Sequence, residues 1–309
     1  MRKNKVEPIV SIVCNTFNHE LYIQDAIEGF LMQKTTFPIE ILLHDDASND
    51  KTTNIIKEYE AKYPHLIKPI YQKDNQYLQR TKIGPNFQYP RVKGKYIAIC
   101  EGDDYWTDPN KLQKQVTFLE ANPDFTICCH NAHIINEDGI LTDSLKKIKS
   151  AKTFFIEDLA VKNFIHTPTV VFRVFKRNLN HSLLLKVPVG DYTIHLLNAK
   201  YGKIYYMPDY MATYRKHAGG IWSKRNKYEK SGKWIITICF LLDEFSNNVK
   251  VRRRLLNQFI KTYPLVKMGY SKKLISESSF QKILSYKKQY ESIYYKIRSL
   301  YNKISSKLR

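Results

Sequence analysis

With 309 residues, 43% of them hydrophobic, the chain has enough apolar material for one large domain or a domain with an appendage, which excludes wholesale disorder. The formal net charge of +21 is unevenly placed: residues 1–214 hold 27 Lys/Arg and 24 Asp/Glu, whereas residues 215–309 hold 23 Lys/Arg and 5 Asp/Glu. The two parts must face different partners, and the partner of the second is anionic.

The N-terminus, Met-Arg-Lys-Asn-Lys-Val-Glu-Pro, is not followed by an apolar signal-peptide core, because Asn15, Asn18 and His19 interrupt the next hydrophobic run. The longest C-terminal apolar run, Trp234 to Leu242, is too short to span a bilayer. The sequence therefore predicts neither export nor a transmembrane anchor. Four of the five cysteines (Cys14, Cys100, Cys128, Cys129, Cys239) lie in apolar strand-like runs, a pattern that predicts buried thiols in a reducing compartment.

Val10 to Cys14 reads as a buried first strand, and Asn15 to Asn18 as a polar turn. From His19 the spacing becomes helical, with Ile23, Ile27, Phe30 and Leu31 on one face. Glu40 to Leu43 is a second strand ending in His44-Asp45-Asp46-Ala47-Ser48-Asn49-Asp50. A helix with Ile55, Ile56 and Tyr59 on its apolar side stops at Pro64, and Leu66 to Tyr71 forms a third strand. Tyr96 to Cys100 is apolar on both faces, as a central parallel strand requires, and ends in Glu101-Gly102-Asp103-Asp104. Asp108-Pro109 supplies an N-cap and a first-turn proline for a helix carrying Leu112, Val116 and Leu119. After Pro123 come strand-like runs at Thr126–Ile135 and Thr169–Phe172, with a linker and a short stretch at Ile156–Phe164 between them. A helix from Asp191 to Tyr201 is closed by Gly202, and Lys203 to Met207 is a short strand. From about Tyr228 onward the pattern is a series of basic amphipathic helices, and no internal repeat is visible. Alternating strands and helices predict an α/β fold with a doubly wound sheet.

In such sheets ligands bind beyond the carboxyl ends of the strands. Asp45/Asp46 and Asp103/Asp104 both lie there. Paired carboxylates at one rim repel each other unless a cation sits between them, and Mg²⁺ or Mn²⁺ carrying phosphate oxygens takes one or two carboxylates from a protein. Alone, Asp-Asp-Ala-Ser-Asn-Asp reads equally well as a turn with a helix cap. Two such clusters, each directly after a buried strand, point to a metal-diphosphate substrate.

Val10-Ser-Ile-Val-Cys-Asn-Thr-Phe-Asn18, His44-Asp-Asp-Ala-Ser-Asn-Asp-Lys-Thr52 and Gly94-Lys-Tyr-Ile-Ala-Ile-Cys-Glu-Gly-Asp-Asp-Tyr-Trp106 together resemble the family 2 glycosyltransferases with the GT-A fold, in order and spacing, over about residues 7–222. The resemblance implies a mixed, doubly wound sheet with helices on both faces. It implies a catalytic domain over 1–225, with a nucleotide-sugar part at about 7–122 and an acceptor part at about 123–225, followed by a basic amphipathic helical extension over 226–309. It also implies roles by position. Asn15 contacts the nucleotide, and Asp46 hydrogen-bonds the base, usually uracil. Asp104 is the direct ligand of a Mn²⁺ or Mg²⁺ ion, with Asp103 nearer the ribose or sugar. Glu101 stands where the family often has Asp, which leaves its role open. A basic residue before Asn86 assists the diphosphate; Arg80 and Lys82 both qualify, and the spacing does not choose between them.

Inverting sugar transfer needs a base to take the acceptor proton. Asp191 in Gly190-Asp191-Tyr192 opens a helix, where a carboxylate is also an ordinary first-turn residue. The resemblance implies that it is the base. His166-Thr167-Pro168-Thr169, with the strand ending Phe172-Arg173, resembles the segment beside the acceptor. Tyr214-Arg215-Lys216-His217-Ala-Gly-Gly-Ile-Trp222 resembles a loop that closes over the donor, with Gly219-Gly220 as its hinge. Cys128-Cys129-His130 and His133 do not suggest zinc, because strand alternation sets Cys128 and His130 on one face and Cys129 and His133 on the other.

The expected activity is thus an inverting transfer from a nucleotide-diphospho-sugar, UDP-linked by the resemblance, to a glycan or lipid-linked acceptor. The expected setting is the synthesis of a bacterial capsule, lipopolysaccharide or related glycan. Basic helices with interleaved Tyr and Lys suit an anionic membrane surface or nucleic acid. A lipid-linked acceptor favours the membrane, so the expected place is cytoplasmic and peripheral to the inner face, with no nucleic-acid partner. Two rivals are a metal-dependent nucleotidyltransferase, disfavoured because no Gly-rich loop bearing Lys/Arg follows the first strand, and a nucleic-acid-binding protein, which leaves the acidic strand ends unexplained.

Overall fold

In the computed structural model, which describes residues 7–139, 141–143 and 148–290, the chain divides into two compact units. One comprises Met1–Phe155, Phe164–Leu185 and Ile194–His217; the other comprises Ile156–Asn163, Lys186–Thr193 and Ala218–Arg309. The final part of the expected basic extension, residues 291–309, lies outside the described residues.

The first unit is built on strands β1 (Val10–Thr16), β2 (Ile39–Asp45), β3 (Ile67–Tyr71), β4 (Tyr96–Ile99), β5 (Tyr105–Trp106), β6 (Phe125–Asn136), β7 (Leu141–Asp143), β8 (Lys152–Phe154), β9 (Val171–Arg173) and β10 (Lys203–Lys216). Helices α1 (Ile23–Leu31), α2 (Thr52–Lys62) and α3 (Lys111–Ala121) connect the early strands. The sheet runs β3-β2-β1-β4-β9-β6-β10-β5, with β7 on β6 and β8 on β10. The pairs β1/β2, β2/β3, β1/β4 and β6/β10 are parallel, whereas β9 lies antiparallel between β4 and β6. The sheet is mixed, as expected. Its core holds Val10, Ile12, Ile27, Phe30, Ile41, Tyr96, Ala98 and Leu112, each fully buried and worth roughly 1.5–3 kcal/mol for the larger side chains. Strands covered on both faces read as continuous apolar runs, which is why β1, β2 and β4 were visible in the sequence.

Two elements depart from expectation. Helix α3 begins at Lys111 with Asn110 at its N-cap, because Asp108 is spent on an Asx turn: Oδ1 accepts from the Asn110 N–H at 2.8 Å, and the carboxylate pairs with Lys114 at 2.7 Å. Strand β10 does not stop at Met207. It continues to Lys216 through register shifts against β6 between Met207 and Tyr210 and between Tyr210 and Thr213. Pro208 breaks the sequence pattern there without ending the strand, since a proline is tolerated at a bulge.

The second unit carries α8 (Lys227–Glu244), α9 (Val249–Ser271) and α10 (Glu277–Gln289), after the short helices α4 (Ile156–Leu159), α5 (Lys176–Leu179) and α6 (Leu183–Lys186) and the helix α7 (Gly190–Ala199), of which α4 and the N-terminal turn of α7 belong to it. Asn226 and Glu229 close a capping box on α8, Asn248 caps α9 and Ser276 caps α10. Ile235, Ile238, Leu242, Val251, Leu255, Phe259, Val266 and Ile283 form the buried stripes of these helices. The Tyr192 ring stacks on Trp234 with centroids 4.9 Å apart. Gln258 ties the segments together, donating to the Ala160 carbonyl at 2.7 Å and the Tyr192 hydroxyl at 2.9 Å while accepting from Trp234 Nε1 at 2.9 Å.

Candidate active site

Four loops of the first unit meet at the carboxyl ends of β1, β2 and β4. The loops after β1 and β2 are stitched together: Asn18 N–H donates to Ser48 Oγ at 2.9 Å, and Asn49 N–H donates to Asn18 Oδ1 at 2.9 Å. Asn18 and Ala47 both sit in the left-handed region, with φ of 54° and 62°. Asp45 and Asp50 serve this turn, Asp45 accepting from Ser48 N–H and Oγ and Asp50 from the N–H groups of Glu20 and Thr52. The turn reading was thus right for these two.

Asp46 differs. It is 2% exposed, and its carboxylate accepts the backbone N–H groups of Gln76 at 2.8 Å and Tyr77 at 3.0 Å. Each oxygen keeps a lone pair beyond these bonds. Asn15, on β1, accepts from Gln88 Nε2 at 3.1 Å. Gln88 was missed in the sequence: fully buried, it also donates to the Cys14 carbonyl at 2.9 Å and the Leu42 carbonyl at 3.1 Å, bracing the ends of two strands. Of the two basic candidates, Arg80 is exposed in a left-handed turn with φ 64°. Lys82 is half-buried, burial lowers its pKa, and its ammonium has no acidic partner among the described residues.

The acidic motif after β4 holds the main surprise. Asp104 is 1% exposed, and its Oδ1 accepts the Arg215 N–H at 2.9 Å. Burial, with the Asp103 charge beside it, pushes its carboxyl well above the ordinary range. Asp103 instead reaches two imidazoles, with Oδ2 at 3.0 Å from His217 Nε2 and 3.9 Å from His19 Nε2. Burial opposes ionisation of Asp103, but the His217 hydrogen bond and the neighbouring His19 outweigh it and hold the carboxyl below its usual value. Burial lowers the pKa of His19 despite that carboxylate. His19, Asp103 and His217 each offer one ligand atom, and these atoms lie within 4.8 Å of one another.

A divalent cation fits this cluster. Each imidazole brings a nitrogen and Asp103 an oxygen, a donor set that suits Mn²⁺ better than the oxygen-seeking Mg²⁺. Beside it, His19 Nδ1 and Thr16 Oγ1 are buried without a hydrogen-bond partner among the described residues. A Cβ on Gly102 would come within 2.7 Å of Thr16 Oγ1 and 3.0 Å of His19 Nδ1, so only glycine leaves this cradle open. His19 was read only as the start of a helical pattern. Its partners are far away in sequence, so no local spacing could have revealed it.

Arg215 is a clamp. Its guanidinium lies 4.2 Å from the Tyr105 ring centroid, donates to the Asp103 carbonyl at 3.1 Å and pairs with Asp25. His166 packs its ring 5.2 Å from that of Tyr214, and Thr167 opens a short 3₁₀ turn whose Pro168 carbonyl accepts from Trp106 Nε1 at 2.9 Å. Asp191 and Trp222 belong to the second unit. Asp191 is half-buried at the first turn of α7, with Asn163 Nδ2 donating to Oδ2 at 3.4 Å, and burial raises its pKa. Trp222 is 39% exposed. Cys128 and Cys129, like the other three cysteines, are buried free thiols, and His130 and His133 gather no zinc ligands around them among the described residues.

The description of glycosyl transferase family 2 matches residues 11–184. An uncharacterized protein of Mycobacterium tuberculosis is 40% identical over 217 residues, which are 69% of this chain and 60% of that relative. The chain thus spans less than two thirds of that relative's length. TuaG of Bacillus subtilis, named as a glycosyltransferase of teichuronic acid biosynthesis, is 29% identical over 160 residues, covering 52% of this chain and 59% of its own. Among solved structures, TarS residues 1–349 of S. aureus in complex with UDP-GlcNAc superposes with a TM-score of 0.55 at 18% identity, covering 93% of this chain and 91% of the other. The mixed α/β architecture is therefore the GT-A fold.

Proposed function

The chain belongs to glycosyl transferase family 2, and we propose that it transfers a sugar with inversion from a nucleotide-diphospho-sugar to a glycan or lipid-linked acceptor. The observation that carries the proposal is the His19–Asp103–His217 cluster at the end of the sheet's central strands. A divalent ion held there would neutralise the charge that develops on the leaving diphosphate. In this reading Asp103 replaces Asp104 as the direct ligand, while Asp104 fixes the backbone of the loop that carries His217. Lys82, half-buried and without an acidic partner among the described residues, is preferred over Arg80 as the cation facing the diphosphate. Asp46 and Asn15 flank the nucleotide, and the UDP-GlcNAc bound in the TarS structure supports uracil as the base.

Asp191 takes the proton of the acceptor hydroxyl as that oxygen attacks the anomeric carbon in a single displacement. Its raised pKa makes it a stronger proton acceptor than an ordinary aspartate. The relation to TuaG supports a role in making a bacterial surface polysaccharide. No helix among the described residues is long and apolar enough to cross a membrane. Residues 218–290 carry 16 Lys/Arg against 4 Asp/Glu, and Leu265, Met268 and Leu274 are 37%, 47% and 43% exposed among these cations. That combination supports a peripheral seat on an anionic membrane at the cytoplasmic face.

Isothermal titration with UDP and GDP, each with and without Mn²⁺, tests the donor site. Metal-dependent binding of one nucleoside diphosphate, reduced at least 100-fold in Asp103→Ala and only modestly in Arg80→Ala, is expected. A folded wild-type protein that binds neither nucleotide would overturn the reading.

A further inference from the structure

One cluster in the first unit has no part in the donor site and no evident folding role. His133 on β6 and Tyr210 on β10 stack with ring centroids 4.4 Å apart and an interplanar angle of 19°. Asp143 on β7 lies beside them, its Oδ1 3.8 Å from His133 Nδ1. The side chains of His133 and Asp143 are 40% and 38% exposed, and Tyr210 is 39% exposed. A cross-strand ring pair can simply stabilise a sheet. That role does not require a carboxylate beside the rings or so much aromatic surface left in water.

Register ties this cluster to the catalytic loop. Tyr105, the residue after Asp104, pairs with Thr213; Thr213 pairs with His133; and His133 pairs with Asp143. Residues opposite one another across a sheet point to the same face, so these four form one row. Arg215, two residues beyond Thr213, lies on the same face and over the Tyr105 ring. The register shifts on either side of Tyr210 set it opposite Asn131, on the face that His133 shares, and bulges of this kind recur next to active sites. His133 lies two strand spacings from Tyr105, roughly 10 Å, the span of about two hexose residues.

We propose that Tyr210, His133 and Asp143 form a subsite for a sugar ring of the acceptor beyond the one that reacts. An aromatic face takes the apolar C–H face of a pyranose, and a neighbouring carboxylate accepts from its hydroxyls. Few other ligands use both at once while lacking charge of their own. The consequence for specificity is that the acceptor is an oligosaccharide or a glycan on a carrier, not a single sugar or a simple alcohol. This inference rests on the glycosyl-transfer reading above.

Saturation-transfer NMR with chitotriose, cellotriose, maltotriose and mannotriose, in the presence of UDP and Mn²⁺, tests it. Wild-type protein is expected to pass saturation to at least one trisaccharide and less to the matching monosaccharide. Tyr210→Phe, which keeps the ring, should retain the signal within about threefold, whereas Tyr210→Ala should weaken binding about tenfold or more. UDP affinity should be unchanged in both variants. If Tyr210→Ala does not fold, His133→Gln, which removes the ring stacked on Tyr210, carries the same expectation. A wild-type protein that binds UDP but none of the four trisaccharides, or a Tyr210→Ala variant that binds them normally, overturns the subsite. Loss of UDP binding by the wild type overturns the donor reading instead, so the two failures are separable.

Discussion

In the sheet unit, acidic and basic side chains are nearly balanced, and most of its acids can be traced to a partner: Asp45 to Ser48, Asp50 to Thr52, Glu40 to Ser11 and Lys68. Asp103 differs from these in being held among imidazoles, and there the candidate chemistry lies. In the helical unit the accounting runs the other way. The apolar stripes of α8, α9 and α10 are consumed by packing, the caps are satisfied, and a surplus of cations is left in water. Function is read from what folding leaves unexplained, and the two units leave residues of opposite sign. Asp191 cuts across the contrast, a half-buried acid within the basic unit whose pKa burial raises.

The largest expected effect follows from that exception. Asp191→Asn keeps the shape and removes the proposed base, so on the reading above sugar transfer should fall by about 10²–10⁴-fold. Metal-dependent nucleotide binding should be unchanged by calorimetry. Because the carboxyl must be ionised to accept a proton, wild-type kcat/KM should drop as pH falls through a value above the ordinary aspartate range. The same raised pKa means that the ionised carboxylate costs stability above its unfolded value, so Asn should raise Tm at neutral pH. Full activity in Asp191→Asn would remove the exception and reduce Asp191 to a first-turn residue of α7.

A smaller effect probes the surplus cations. Lys250, Arg253, Arg254 and Lys267 on α9 are exposed. Replacing all four by Gln should weaken binding to vesicles containing phosphatidylserine at least tenfold, at about 1 kcal/mol per charge near an anionic surface. Thermal stability should move little, since exposed substitutions stay within about 0.5 kcal/mol each. Vesicle binding that is absent in the wild type, or indifferent to salt, would leave the basic surface to a protein partner.

How much of this was legible in sequence follows the same division. Apolar runs gave β1, β2 and β4, because strands covered on both faces need continuous apolar residues. The acids after β2 and β4 stood out because strand ends carry ligands. Gln88 did not stand out, since bracing three backbone and side-chain acceptors is a property of the folded loop and not of any spacing. Nor did the division of labour between Asp103 and Asp104, which is set by Arg215 and His217 arriving from the far end of β10. The extension of β10 past Pro208 was hidden for a related reason, because bulges erase the period of two on which strand recognition depends.

The smallest effect concerns a cation that the charge pattern would have assigned to solvent. Lys111 stands at the start of an amphipathic helix, where lysine is ordinary, yet it is fully buried. Its Nζ donates to Gln115 Oε1 at 2.8 Å and lies 4.1 Å from the Trp106 ring centroid, while Gln115 Nε2 donates to the carbonyls of Cys128 and Thr169. Burial lowers its pKa to about 7. An unfolded lysine titrates near 10.4, so between these values the unfolded state binds the proton that the folded state refuses. Stability from this group is therefore complete only at alkaline pH, declines as pH falls from about 10 toward 7, and is flat below. Lys111→Met, of similar length and apolar, should raise stability at pH 7 by about 1 kcal/mol or more and flatten the dependence over that window in urea unfolding. An unchanged pH slope in Lys111→Met would mean that Gln115 and the Trp106 face compensate the charge, and that the sheet unit tolerates a buried cation as readily as the helical unit tolerates its exposed ones.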